Sequence, residues 1–210
     1  MHLAVEAFGQ PLPQPRFRTR QIDICNADLG ESELPGEGPN PTHDLMAADH
    51  QPIVETHSAT RVWHSEDDTE ALARALASSP ALRDAFISLQ GDLGAGKTTF
   101  VRHLLRALGI TGRIKSPTYA VVEPHQAPDG LAIFHFDFYR FSDPREWEDA
   151  GFRDIFAGPG VKLAEWPENA AGRIPLADLA IKIEAMTDDT RTVTLRAHTQ
   201  RGSRLLAAIV

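Results

Sequence analysis

From Ala59 onward the chain is punctuated into short periodic runs, whereas residues 1–58 hold no sustained helical or alternating pattern. Residues 60–63 read as a short strand, and Ser65-Glu66-Asp67-Asp68 after them has the form of an N-terminal capping box. A helix over 67–77 should follow, with Ala71, Leu72, Ala75 and Leu76 on one face. Ser78-Ser79-Pro80 ends it, because proline cannot continue helical hydrogen bonding.

The apolar run 85–89 leads into a glycine-rich loop, after which Phe100, Val101, Leu104, Leu105 and Leu108 recur at helical spacing before Gly109. This is a strand, a loop and a helix in succession. Residues 119–123 and 131–137 flank Pro128-Asp129-Gly130 and predict an antiparallel hairpin. In its second strand the two-residue period puts Phe134, Phe136 and Phe138 on one face and Ile133, His135 and Asp137 on the other. A helical stretch over 144–150, strands over 161–165, 179–183 and 192–196, and a closing helix over 203–209 complete the pattern.

Residues 1–58 carry seven prolines and several glycines, and read as a disordered Pro/Gly-rich extension. Arginines 16, 18 and 20 within it read as solvated side chains of a loose tail. The whole chain has 210 residues with a formal charge of −8, from 21 basic against 29 acidic side chains. That balance argues against a general nucleic-acid binder, which would show a basic excess. The single cysteine, Cys25, forms no internal disulfide, and no Cys/His spacing suggests zinc. No apolar h-region opens the chain and no run of about 18 apolar residues occurs. A cytoplasmic protein with no membrane association is expected.

Candidate chemistry concentrates at Gly91-Asp92-Leu93-Gly94-Ala95-Gly96-Lys97-Thr98-Thr99, which satisfies G-x-x-x-x-G-K-[ST] between the strand and helix that this motif requires. Glycines let successive backbone N–H groups approach phosphate oxygens, and the helix start directs its positive dipole end at the same anion. Lys97 is the phosphate lysine, and Thr98 can offer its hydroxyl to Mg²⁺.

Such a site also needs a carboxylate at the end of a neighbouring strand, and Asp137 and Glu165 both qualify. His135 shares a face with Asp137 and could tune it, or be a satisfied core histidine. Asp143, Glu146, Glu148, Asp149 and Asp154 read instead as a solvent-facing acidic cluster.

The P-loop with Phe100, the segment Ser116-Pro117-Thr118-Tyr119, the run His135-Phe136-Asp137-Phe138-Tyr139-Arg140 and Glu165-Trp166-Pro167 together resemble the bacterial TsaE family. That family assists tRNA threonylcarbamoyladenosine biosynthesis. The likeness spans residues 59–209 and excludes the extension. It implies an α/β fold: one compact P-loop NTPase domain over 59–210, with a mixed parallel and antiparallel sheet and helices on both faces. It also implies a weak ATPase using ATP and Mg²⁺, tied to the TsaB and TsaD proteins and touching tRNA only indirectly.

By the same resemblance, Thr98 and Glu165 match metal-associated positions, and Lys97, Thr99 and Asp137 match the catalytic set. Asp92, Leu93, Gly94, Ala95, Gly96, Lys97, Thr98 and Thr99 would line the nucleotide, with Thr69 near the adenine and Arg191 as a late arginine beside it. Residues 116–119 match a loop facing the γ-phosphate, and Trp166 a tryptophan beside the site. The alternative is a small-molecule P-loop kinase with its hydroxyl substrate near Asp137, although no arginine-rich lid segment is evident. A GTPase is disfavoured, since the chain has neither Asn-Lys-x-Asp nor Asp-x-x-Gly.

Overall fold

A computed structural model describes residues 50–52, 57–141, 147 and 151–210. The described elements are β1 (Ser58–Trp63), α1 (Glu66–Ala77), β2 (Phe86–Gln90), α2 (Lys97–Ala107), β3 (Val122–Gln126), β4 (Ala132–Asp137), α3 (Phe152–Ala157), β5 (Val161–Glu165), β6 (Leu179–Ala185), β7 (Arg191–Ala197) and α4 (Gln200–Ala207). Short 3-10 turns occupy Pro80–Leu82 and Pro167–Ala170.

The seven strands form one mixed sheet in the order β1-β7-β6-β2-β5-β4-β3. Its centre is parallel: β2 pairs with both β5 and β6, and β4 pairs with β5. The flanks are antiparallel, β3 on β4 at one side and β7 between β6 and β1 at the other. The carboxyl ends of β2, β4, β5 and β6 therefore share one edge, which is where open α/β sheets place ligands.

Alternation along the strands divides the core in two. Ile87, Leu89, Ile133, Leu163, Ile181 and Val193 face a layer made by α1, α2 and α4, including Leu76, Phe100, Leu104 and Leu205. Phe86, Phe136, Phe138 and Ala164 face the other side, with Phe152, Ile155 and Phe156 of α3 against them. Helices cover both faces, as expected. On the second face Phe136 stacks on Phe156 at 4.9 Å and meets Phe152 edge-on at 5.4 Å. These ring contacts fix β4 from behind, so that its other face, carrying His135 and Asp137, is held in place.

The capping box is present: Ser65 accepts from Asp67 N–H, and Asp68 Oδ2 accepts from the Ser65 N–H. Two element starts differ from expectation by three residues. The first hairpin strand begins at Val122, because residues 117–121 close a turn in which Val121 N–H donates to the Pro117 carbonyl and Val121 takes φ 64°. The closing helix begins at Gln200, three residues before the apolar spacing signalled it. Thr199 caps it by accepting from Gly202 N–H, and Gly202 is needed because a Cβ there would meet the Asp178 carbonyl oxygen at 1.8 Å.

The helix expected over 144–150, and the acidic residues at 143, 146, 148 and 149, lie outside the described residues apart from Trp147, which is helical. Most of the expected extension does too. Its described pieces contact the domain: Pro52 forms an isolated bridge with Thr199, and His50 meets Asp178 at 3.0 Å.

Candidate functional site

The loop after β2 turns at Gly91, where φ is 139° and a Cβ would sit 2.2 Å from the Ile183 carbonyl oxygen. Only glycine fits so close to β6. Gly96, at φ 113°, starts α2 without any side-chain cap, and no acidic residue stands in the first turn. By contrast α1 has a Ser65 cap and Glu66, Asp67 and Asp68 in its first turn. The opening N–H groups of α2 therefore present an uncompensated positive end to the sheet edge.

Lys97 is buried, and its Nζ donates to the carbonyls of Gly91 at 2.6 Å and Asp92 at 2.8 Å. The ammonium also lies 3.9 Å from the centre of the Trp166 ring. Burial holds the Lys97 pKa below the usual lysine value, opposed by the charges of Glu165, Glu168, Asp137 and Asp92. Trp166 reaches this position by leaving β5 in the left-handed region, φ 57°, with its N–H on the Leu89 carbonyl at 3.2 Å.

Thr98 and Glu165 meet directly. The Thr98 hydroxyl lies 2.9 Å from each Glu165 carboxylate oxygen, a bifurcated contact across the helix–sheet boundary. Glu165 is buried at the end of β5, opposite Asp137 at the end of β4 in the parallel register. The two carboxylates left open by the sequence thus lie side by side with different partners. Asp137 Oδ2 accepts from the hydroxyls of Ser116 at 2.6 Å and Thr118 at 2.7 Å, while Oδ1 accepts from Tyr139 N–H at 3.0 Å. Neither carboxylate pairs with Arg140 or Lys162: Arg140 stacks over the Tyr119 ring, and Lys162 donates to the Gly158 carbonyl.

The remaining expected residues fall around this edge in different ways. Asp92, Leu93 and Gly94 form the exposed tip of the loop, while Ala95 is buried. Thr99 is partly buried in the first turn of α2. Arg191, at the start of β7, donates from Nε to the Ala95 carbonyl at 3.0 Å and so braces the loop from the β6–β7 side. Thr69 is buried on α1, and among the described residues no hydrogen bond ties it to the loop.

Two relationships exceed what the sequence specified. The hydroxyls of residues 116 and 118 anchor to Asp137, for which an S-P-T turn ahead of a strand-end aspartate is the only signal. His135 contacts Glu165, not Asp137: Nε2 lies 2.9 Å from Oε1. Same-strand alternation pointed to Asp137, but in a parallel sheet His135 sits diagonally below the next strand's end residue.

Fold and loop together define a P-loop α/β protein. The family model described as "Threonylcarbamoyl adenosine biosynthesis protein TsaE" matches residues 63–193, and the chain belongs to that family. Two relatives named tRNA threonylcarbamoyladenosine biosynthesis protein TsaE illustrate the likeness. The Haemophilus influenzae protein is 43% identical over 122 residues, covering 58% of this chain and 76% of the relative. The Bacillus subtilis protein is 39% identical over 132 residues, covering 62% and 80%. The crystal structure of Bacillus subtilis YdiB superimposes with a TM-score of 0.61 at 29% identity, over 75% of this chain and 97% of that one.

Proposed function

We propose that this chain binds ATP with Mg²⁺ and hydrolyses it in support of tRNA threonylcarbamoyladenosine formation, acting on a synthase formed by TsaB and TsaD. The observation that carries the reading is the Thr98–Glu165 contact beside an uncapped helix start. A hydroxyl and a carboxylate are the hard oxygen donors that Mg²⁺ takes, and the α2 start with Lys97 suits a polyphosphate. Bound Mg²⁺ supplies neutralisation of phosphate charge and polarisation of the phosphoryl group.

The chain's own residues take distinct parts. Lys97 exchanges two backbone carbonyls for phosphate oxygens of higher charge, which compensates its burial better than neutral dipoles do. Asp137 holds the 116–118 hydroxyls and, with Thr99, orients the attacking water. Adenine is the favoured base, and Trp166 shields the lysine from solvent. The acidic balance of the chain suits contact with partner proteins, with tRNA engaged indirectly. Among the described residues no helix is long and apolar enough to cross a membrane, and the cytoplasm is the proposed compartment.

The test incubates the purified chain with radiolabelled ATP, alone and with the TsaB–TsaD pair, and follows phosphate release and adenosine modification in tRNA. Mg²⁺-dependent release that rises with the pair is expected. No release and no effect on modification in either arrangement would overturn the reading.

A further inference from the structure

We infer that His135 is a positioning residue for Glu165, orienting that carboxylate for the cation; this rests on the Mg²⁺ reading of Thr98 and Glu165 above. His135 is fully buried on the face of β4 whose preceding inward residue is Ile133, part of the apolar layer under α2. An imidazole placed there is desolvated, which costs free energy that an aliphatic side chain would not incur. Among the described residues the hydrogen bond from Nε2 to Glu165 Oε1 is its one polar compensation, since Nδ1 is buried without a partner there.

That pairing fixes the tautomer. With the proton on Nε2, the orphaned Nδ1 exposes only a lone pair, whereas the other tautomer would face the carboxylate with a lone pair and strand an N–H in the core.

Glu165 in turn has two side-chain partners among the described residues, Thr98 and His135. Thr98 contacts both carboxylate oxygens equally and so selects neither. His135 contacts only Oε1. It therefore sets the rotation of the carboxylate and leaves Oε2 as the oxygen available to a divalent ion beside Thr98. Partners that orient a ligating carboxylate typically contribute about 10- to 100-fold to metal affinity.

Two amide replacements separate orientation from packing. His135→Gln places an amide N–H close to the position of Nε2, while His135→Asn is equally polar but reaches only to the position of Nδ1. The non-hydrolysable analogue AMPPNP is titrated calorimetrically into each folded protein in EDTA and at increasing Mg²⁺, which yields the Mg²⁺ midpoint of nucleotide tightening. The expected result is an unchanged affinity in EDTA for all three proteins, a midpoint raised about tenfold or more in His135→Asn, and one within about threefold of the native protein in His135→Gln. An unchanged midpoint in folded His135→Asn, or an equal rise in both variants, would overturn the inference. If Mg²⁺ fails to tighten AMPPNP binding in the native protein, the metal reading of Thr98 and Glu165 itself falls.

Discussion

Ser116 donates its hydroxyl to Asp137 Oδ2 at 2.6 Å, which ties the loop ahead of β3 to the end of β4 at the sheet edge that carries the P-loop. Thr118 joins it on the same oxygen, and Val121, held in the left-handed region, closes the loop behind them. Backbone in that region is costly for a β-branched residue and is kept where the surroundings enforce it.

Removing the Asp137 carboxylate should therefore have a local and a chemical effect. In Asp137→Ala, amide exchange over 114–121 should quicken while the rest of the domain keeps its protection, because charge-assisted bonds of about 1.5–3 kcal/mol each are lost from one loop. Phosphate release should fall by roughly a hundredfold or more. Mass-resolved hydrogen exchange and a turnover assay measure the two effects separately.

Lys97 illustrates a site residue that does not serve stability. Burial lowers its folded pKa below that of the unfolded chain, so between those two values the unfolded state binds more protons and stability rises with pH. Below the folded pKa the cost of burying the ammonium is present in full. Lys97→Met should accordingly melt at the same temperature as the native protein or higher, while nucleotide affinity drops by roughly a hundredfold. Thermal melting and calorimetric titration check the two halves.

Arg191 acts on the loop from outside, through the Ala95 carbonyl. Arg191→Ala should weaken ATP binding by about tenfold, the equivalent of one hydrogen bond from a charged donor at about 1.5 kcal/mol. The Gly91–Thr99 backbone, freed of its brace, should show faster amide exchange without nucleotide.

Asp178 is the buried carboxylate at the opposite end of the sheet, where it accepts from Phe86 N–H at 2.8 Å and from the Thr199 hydroxyl. Desolvation raises its pKa, yet the hydrogen bonds from His50, Thr199 and Phe86 outweigh it and leave the group below the usual aspartate value. A carboxyl with a lowered folded pKa stabilises fully above its unfolded value, near 3.8, and loses that contribution as pH falls through the folded value. Asp178→Asn should be less stable than the native protein by roughly 1–3 kcal/mol at neutral pH, with the gap narrowing below about pH 4. Urea unfolding at pH 7 and pH 3 measures it.

Much of this architecture was legible in the chain. The alternation of Phe134, Phe136 and Phe138 against Ile133, His135 and Asp137 gave the faces of β4, and the Gly91–Thr99 spacing located the loop. Local pattern did not give the turn at 117–121, where a hydrogen bond to the Pro117 carbonyl overrides the strand propensity of Tyr119 and Val121. Nor did it give His135 to Glu165, a contact 30 residues apart that depends on which strands become parallel neighbours. Sequence period assigns a side chain to a face, while its partner across the sheet follows only from topology.

The most direct test of the account is the amount of threonylcarbamoyladenosine formed in tRNA by a fixed quantity of TsaB–TsaD synthase, with the native chain or Glu165→Ala, both with ATP and Mg²⁺. The account predicts continued product formation with the native chain and a stall with Glu165→Ala, which lacks the carboxylate that Thr98 and His135 address. Equal product from a folded Glu165→Ala protein would contradict it.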